Sequence, residues 1–397
     1  MKPNQVGGIS TKLAKRICDV TSSATLEMTA RAREMALKGS SVINFAAGEL
    51  DFDTPEFIKK AAYQALGEGF TKYTAVTGIP ELREAISEKF RRENRLIYNP
   101  SQIVVSCGAK HSLFNLIQVL CDPGDEVIIP LPYWVSYPEM VRLAQAVPVF
   151  IRTFPESGYK ITPNQLKKAI TSKTKLFLLN SPSNPTGTVY TREELDSLAK
   201  IVIEEDIFCI SDEIYEKILY EGSQHFSIAS LGKEIYERVA TVNGVSKTYS
   251  MTGWRIGYLG APDWLAKAVA NYQSHSTSNP TSFSQKGALA ALKAEAKEIQ
   301  RMLEPLNERR LLMLSGFEQM NGIKAFPPQG AFYLFCDISQ TTLDSVVFAS
   351  RLLEEWGVVT VPGEAFGESH AIRLTFATSR NNIEEGLNRI KNFIKQL

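Results

Sequence analysis

Apolar positions in this chain fall into short continuous runs separated by segments of helical period. Ile103–Ser106, Glu126–Ile129, Pro148–Ile151, Leu176–Leu179, Ile207–Ser211, Val239–Asn243 and Ile256–Leu259 read as strands. Several, such as Val-Ile-Ile and Leu-Phe-Leu-Leu, lack polar alternation. Strands covered on both faces look like this, as in a parallel sheet between helix layers. Glu56–Leu66, Pro80–Arg92 and Lys110–Leu120 predict helices, and the alternation of the two element types predicts an α/β fold. Ahead of them, 23–38 predicts a helix that Ser23 caps and Gly39 ends. A strand over Val42–Phe45 then runs into Ala-Ala-Gly at 46–48.

The pattern changes at Ser284. A long, charged helical stretch to about Gly322 precedes strands at Ala331–Asp337, Val358–Val361 and Ile372–Phe376 and a last helix from Asn382. This predicts a second, smaller α+β domain. The expected division is 50–290 for the large domain, with 1–49 and 291–397 forming the small one.

Composition removes several function classes. Lys plus Arg is 44 and Asp plus Glu is 43, so charge gives no reason to expect nucleic acid or an anionic membrane as partner. Five scattered cysteines without a C-x-x-C pair argue against a disulfide framework. No signal peptide and no membrane-length apolar run are visible, and a soluble, cytoplasmic protein is expected. Four histidines far apart give no metal-ligand spacing.

Candidate chemistry lies where predicted strands end, the place where open α/β sheets gather ligands. Lys247 follows one strand; desolvation there lowers an amine's pKa and makes it a nucleophile toward carbonyls. Arg255, in a Gly- and Trp-rich turn, offers a bidentate cation for a phosphate. Ser106-Cys107-Gly108-Ala109-Lys110 leaves another strand and opens a helix, where small residues and the helix N-terminus suit an anion. Trp134 offers an aromatic face for a planar ring. Asp212 supplies a carboxylate for a protonated ring nitrogen, and Tyr215 follows three residues later. Asn184 sits in a loop fixed by two X-Pro steps. Taken singly, these are a surface lysine, a turn, a cap and a core aromatic. Together they are the anchor, stacking ring, carboxylate and amine that pyridoxal phosphate needs.

With these motifs the chain resembles the fold-type I, class I aminotransferases, in the bacterial aspartate aminotransferase branch. The resemblance spans roughly residue 10 to the end. Its most specific pieces are Tyr-Thr-Ala-Val-Thr-Gly-Ile-Pro-Glu-Leu-Arg at 73–83, Pro-Tyr-Trp-Val-Ser-Tyr at 132–137, Asn-Pro-Thr-Gly at 184–187, Ser-Asp-Glu-Ile-Tyr at 211–215 and Ser-Lys…Met-Thr-Gly-Trp-Arg-Ile-Gly at 246–257. It implies a large domain with a mostly parallel seven-stranded sheet beside the smaller α+β domain. It implies that Lys247 carries the cofactor covalently and Asp212 faces the pyridine nitrogen. Asn184 and Tyr215 would meet the ring hydroxyl, and Trp134 the ring face. Gly108, Ala109 and Arg255 would hold the phosphate, with Tyr73 reaching it from the second subunit of a homodimer, and Lys110 and Ser246 would also belong to the cofactor site.

By the same resemblance Arg373 and Gly48 would bind the substrate α-carboxylate, beside Trp134 and Asn184. Arg373 has a physical case as well: inside an apolar strand its charge requires either a structural carboxylate or a ligand. No second arginine matches a reader of the distal side chain; Lys110 and Thr25 are the candidates. The expected reaction is ping-pong transfer from an L-amino acid, best aspartate, to a 2-oxo acid, best 2-oxoglutarate. Prephenate, glutamate and aromatic specificities stay open, as does a C–S β-lyase using the same lysine and aspartate. A DNA-binding regulator would need an extra N-terminal module of about sixty residues.

Overall fold

In the computed structural model, residues 13–18, 20–22 and 24–397 are described, apart from the side chains of 24–26 and 296. The Ser23 cap and the Thr25 side chain lie outside the described residues. The strands are β1 Ile43–Asn44, β2 Ile103–Ser106, β3 Glu126–Pro130, β4 Val147–Ile151, β5 Thr174–Asn180, β6 Phe208–Asp212, β7 Val239–Gly244, β8 Gly257–Gly260, β9 Lys324–Phe326, β10 Tyr333–Asp337, β11 Val358–Val359, β12 Val361–Pro362 and β13 Ala371–Thr375. Seven of them form one sheet in the order β2-β8-β7-β6-β5-β3-β4. The β3, β4, β5, β6 and β7 contacts are all parallel, and β8 runs antiparallel to both neighbours.

The unalternating apolar runs are explained by burial on two sides. Val105, Phe177, Leu179, Cys209 and Val239 enter one core, while Val104, Leu176, Leu178, Ile210 and Ala240 enter the other. Each strand thus feeds two hydrophobic layers, and the connecting helices cover both. The reversal of β8 has a direct consequence. Its first residue, Gly257, pairs with Ser106 at the end of β2 and with Gly244 at the end of β7. Arg255 therefore enters at the same sheet edge from which the other loops leave.

The smaller domain carries an antiparallel sheet, β12-β13-β10-β9, and the parallel pair β1-β11. Its core includes Phe45, Met313, Phe317, Phe332 and Leu374, and also Ile214, Tyr215 and Ile218 from the turn after β6. The turn that ends the central strand of the large sheet is thereby packed into the other domain.

Four expectations differ from the structure, one being that the strand expected over Val358–Val361 is two, β11 in the parallel pair and β12 in the antiparallel sheet. The long helix after Ser284 is two helices, Ser282–Leu292 and Ala296–Glu318. The first packs on the helices Glu56–Gly67 and Pro80–Lys89, the second on Arg380–Ile394 and β9, so two cores divide one helical pattern. The helix expected over Pro80–Arg92 is α-helical only to Lys89 and continues as a π turn, Phe90–Asn94. Strand β9 was not anticipated; its three residues, Lys-Ala-Phe, are too few for a periodicity signal. No described helix is long and apolar enough to cross a membrane.

Candidate active site

The loops at that sheet edge enclose a cavity of about 450 Å³. Gly48, Ala109, Lys110, Trp134, Asn184, Asp212, Tyr215, Ser246, Lys247, Arg255 and Arg373 all line it. These residues come from both domains, and the strand-end loops bring them together. Among the lining residues are four cations, Lys110, Lys247, Arg255 and Arg373, and two carboxylates, Glu49 and Asp212. The excess of positive charge suits a ligand with more than one anionic group, although the chain as a whole is nearly neutral.

Lys247 leaves β7 in the stretch Gly244-Val245-Ser246. Its Nζ donates to Gly48 O at 2.5 Å and lies over the rings of Tyr215 and Phe332. Loss of water lowers its pKa to about 8, helped by Arg373 and Arg255 and opposed by Glu49 and Asp212. An amine in that range supplies a useful neutral fraction near pH 7.

Asp212 ends β6 and is 5% exposed. Its Oδ2 accepts from Tyr137 Oη at 2.7 Å, and its Oδ1 accepts from Ile214 N at 3.2 Å. Burial raises its pKa to about 6, against the lowering by those donors and Lys247. Tyr215 is buried too, and its hydroxyl is 2.9 Å from that of Tyr333. Burial holds the Tyr215 phenol well above its ordinary range.

Gly108 does not line the cavity, yet it shapes the anion end. It precedes the helix Ala109–Leu120 at φ +88°, and a Cβ there would meet Arg255 Nη2 at 2.3 Å. Gly257 is under the same constraint, since a Cβ would approach Ala109 N to 2.0 Å. Arg255 itself takes the left-handed conformation, φ +55°. Its Nη1 donates to Thr252 O at 2.8 Å, and no carboxylate among the described residues pairs with it. Lys110 Nζ sits 5.0 Å from the Trp134 ring centroid. Burial and Arg255 lower the Lys110 pKa. Trp134 meets Tyr137 edge to face.

Arg373, in β13, is 2% exposed. Nη1 donates to Asn184 Oδ1 at 3.0 Å and Nη2 to Ala46 O at 2.8 Å, while the guanidinium lies 4.3 Å from the Tyr333 ring centroid. Its Nε is buried without a partner. No carboxylate among the described residues neutralises it, so of the two ways to satisfy this charge the structural one is absent.

Tyr73 stands apart, 91% exposed and outside the cavity lining. Tyr137, Tyr333 and Glu49 were not anticipated as site residues. Tyr137 follows Trp134 by three residues, across a turn in which Tyr137 N donates to Trp134 O at 3.0 Å. Glu49 follows the 46–48 turn directly and accepts from Thr252 Oγ1 at 2.6 Å. Tyr333 had no such signal in its apolar strand.

Residues 40–390 match the family model described as aminotransferase class I and II. The chain is 50% identical over 388 residues to an aspartate aminotransferase from Bacillus sp. strain YM-2, covering 96% of this chain and 99% of that one. It is 44% identical over 395 residues to an aspartate/prephenate aminotransferase from Nitrosomonas europaea, covering 96% of this chain and all of the relative. The solved structure of Thermus thermophilus aspartate aminotransferase with maleate superposes with a TM-score of 0.93 at 46% identity, covering 96% and 99% of the two chains. These transaminase names do not favour the β-lyase alternative. The likeness in fold, over nearly the whole of both chains, gives the architecture as fold type I. The chain belongs to the class I and II aminotransferases, pyridoxal-phosphate enzymes that transfer amino groups.

Proposed function

We propose that this enzyme moves the amino group of L-aspartate to 2-oxoglutarate, with pyridoxal phosphate held in the cavity between its domains. One observation carries the reading: a desolvated lysine shares its cavity with a buried arginine that no carboxylate among the described residues neutralises. A second acceptor, prephenate, is supported by the name of the Nitrosomonas relative.

The residues fit the cofactor. The Gly108 turn, Ala109, Ser246, Lys110 and Arg255 offer a cradle for its phosphate, where Gly108 and Gly257 leave no room for a side chain. Trp134 offers its ring face, and Asn184 and Tyr215 offer polar atoms for the ring oxygen. When bound, pyridoxal phosphate supplies a carbonyl for the amino group and a ring that takes up electrons. Lys247 removes the proton from the substrate α-carbon, for which its low pKa suits it. Asp212 would help to hold a proton on the ring nitrogen of the bound cofactor. Arg373, with Asn184 and the Gly48 backbone, fixes the α-carboxylate and so points the α-hydrogen at Lys247. Lys110 and Thr25 are the groups proposed to read the distal carboxylate.

Tyr73, exposed on a single copy, is assigned to the phosphate of a second subunit, which makes the working unit a homodimer in the cytoplasm. The proposed division is 50–290 for the large domain, with 1–49 and 291–397 for the small one.

Purified protein is expected to be yellow with a band that borohydride abolishes. Lys247→Ala is expected to lose the reducible linkage and at least about 10⁴-fold in transamination rate, because base and attachment point go together. A Lys247→Ala protein that still forms the reducible band, read by absorption and peptide mass, would falsify the assignment.

A further inference from the structure

The pocket uses one side of the turn after β6. In Asp212-Glu213-Ile214-Tyr215-Glu216, Asp212 and Tyr215 line the cavity. Glu213 and Glu216 are turned away from it, 0% and 5% exposed, into a polar cluster behind the site. Glu213 Oε1 accepts from Ser211 Oγ at 2.8 Å and Ser227 Oγ at 2.7 Å. Its Oε2 lies 2.9 Å from His225 Nε2 and accepts from Asn94 Nδ2 at 3.3 Å. Asn94 Nδ2 also donates to Glu216 Oε2 at 2.7 Å, and Glu216 Oε1 is paired with Lys89. Lys89 Nζ donates to Asn94 Oδ1 at 2.7 Å, which closes the group. At its margin Glu93 pairs with Lys217 at 3.0 Å and Arg92 at 2.8 Å.

Ligand-type atoms of Glu213, Glu216 and His225 lie within 4.8 Å of one another. Both carboxylates are already engaged by ammonium, amide, imidazole and hydroxyl groups, so the cluster has another role. The Glu216 carboxyl is held down at about 2, its burial outweighed by Lys89, His225 and Lys217. It stays charged and tied.

Lys89 and Asn94 come from a single helix, and its geometry is what joins them. Positions five apart on an α-helix point about 140° from one another. Here the chain widens at Phe90–Asn94 into a π turn, ended by Arg95 in the left-handed conformation at φ +58°. The i→i+5 turn brings Lys89 and Asn94 onto the same side. Single π turns recur at functional sites, and this one reaches the back of the carboxylate turn.

We infer that Lys89 and Asn94 are positioning residues for the transamination site. Through Glu216 and Glu213 they fix the turn that presents Asp212 and Tyr215 to the cavity. The inference rests on the roles proposed above for those two residues.

The test compares wild-type, Asn94→Leu and Glu216→Gln holoenzymes. In both variants kcat is expected to fall about ten-fold with KM for the amino donor within about two-fold. The pH midpoint of the visible band is expected to move by more than about half a unit. Glu216→Gln keeps the side-chain shape and serves if Asn94→Leu fails to fold. Folded variants with wild-type midpoint and kcat, even at lower Tm, overturn the inference and leave the cluster a structural tie. A wild-type protein without the borohydride-sensitive band overturns the proposed site and the inference together. A wild-type protein with the band and silent variants overturns the inference alone.

Discussion

Two arginines among the described residues are almost completely buried, and they are satisfied in opposite ways. Arg310, 1% exposed, donates through Nε to Asn307 Oδ1 at 3.1 Å and through Nη1 to Pro328 O at 3.1 Å, and its Nη2 is paired with Glu221. Arg373, 2% exposed, has one amide oxygen, one backbone carbonyl and aromatic faces, with Nε unpartnered and no acid among the described residues. A buried cation costs several kcal/mol unless its surroundings compensate. Arg310 is compensated by the protein. Arg373 is compensated only in part, and its Nε–H is left without an acceptor. Burial alone therefore does not distinguish the two; the completeness of the partner set does.

The largest effect that sharpens the contrast is expected from Arg373→Leu. Losing a desolvated charge pair with the substrate costs about 2–5 kcal/mol, so kcat/KM falls by about 30- to 4,000-fold. The fall is expected for every α-amino acid, since the α-carboxylate is common to all. Stability of the ligand-free chain is expected to hold or rise, because an uncompensated charge is removed. Steady-state kinetics on acidic and neutral donors, with thermal melts, check both halves. A loss confined to acidic donors, or a marked drop in Tm, would make Arg373 resemble Arg310.

The reverse pattern is expected for Arg310→Leu. Its acid, Glu221, is mostly exposed and returns to water easily, so the leftover charge costs little. The Pro328 carbonyl and Asn307 amide lose their donor, and the Tyr220 ring loses the guanidinium above it. A loss of about 2–3 kcal/mol in chemical denaturation follows, with kcat/KM per folded molecule unchanged. Impaired kinetics in the folded fraction would erase the distinction between the two.

The sequence exposes one kind of compensation better than the other. The two-layered cores were readable because both-face burial leaves unbroken apolar runs, and the site loops because each follows such a run. Arg373 could be picked out because a charge interrupts Ala-Ile-…-Leu-Thr. Tyr137 stayed unassigned although its motif was quoted: its contact with Asp212 joins residues 75 apart, which no local pattern encodes. The π turn escaped for a related reason. Phe-Arg-Arg-Glu-Asn has ordinary helical composition, and the carboxylates that Lys89 and Asn94 meet lie more than a hundred residues away. Likewise the split at 293–295 depends on which core each half meets.

Asp212→Asn carries the comparison to an acid, with the smallest expected effect. The folded pKa of Asp212 is about 6 against 3.8 for an ordinary aspartate. The folded chain therefore binds this proton more tightly than the unfolded chain. Stability contributed by the group is present below about pH 4 and is lost as pH rises to about 6. Above that range the ionised carboxylate burdens the cofactor-free chain, despite the Tyr137 and Ile214 donors. Asparagine keeps an oxygen for one of those donors, presents an amide to the rotatable Tyr137 hydroxyl, and never ionises. It should raise stability of the cofactor-free protein by about 1–2 kcal/mol at pH 7, with the gain vanishing near pH 4. Added pyridoxal phosphate should reverse the sign, since a protonated ring nitrogen then supplies the partner that the fold withholds. Urea titrations at both pH values, with and without the cofactor, read all four corners. Equal destabilisation in all of them would class Asp212 with Arg310, as a group that the protein completes by itself.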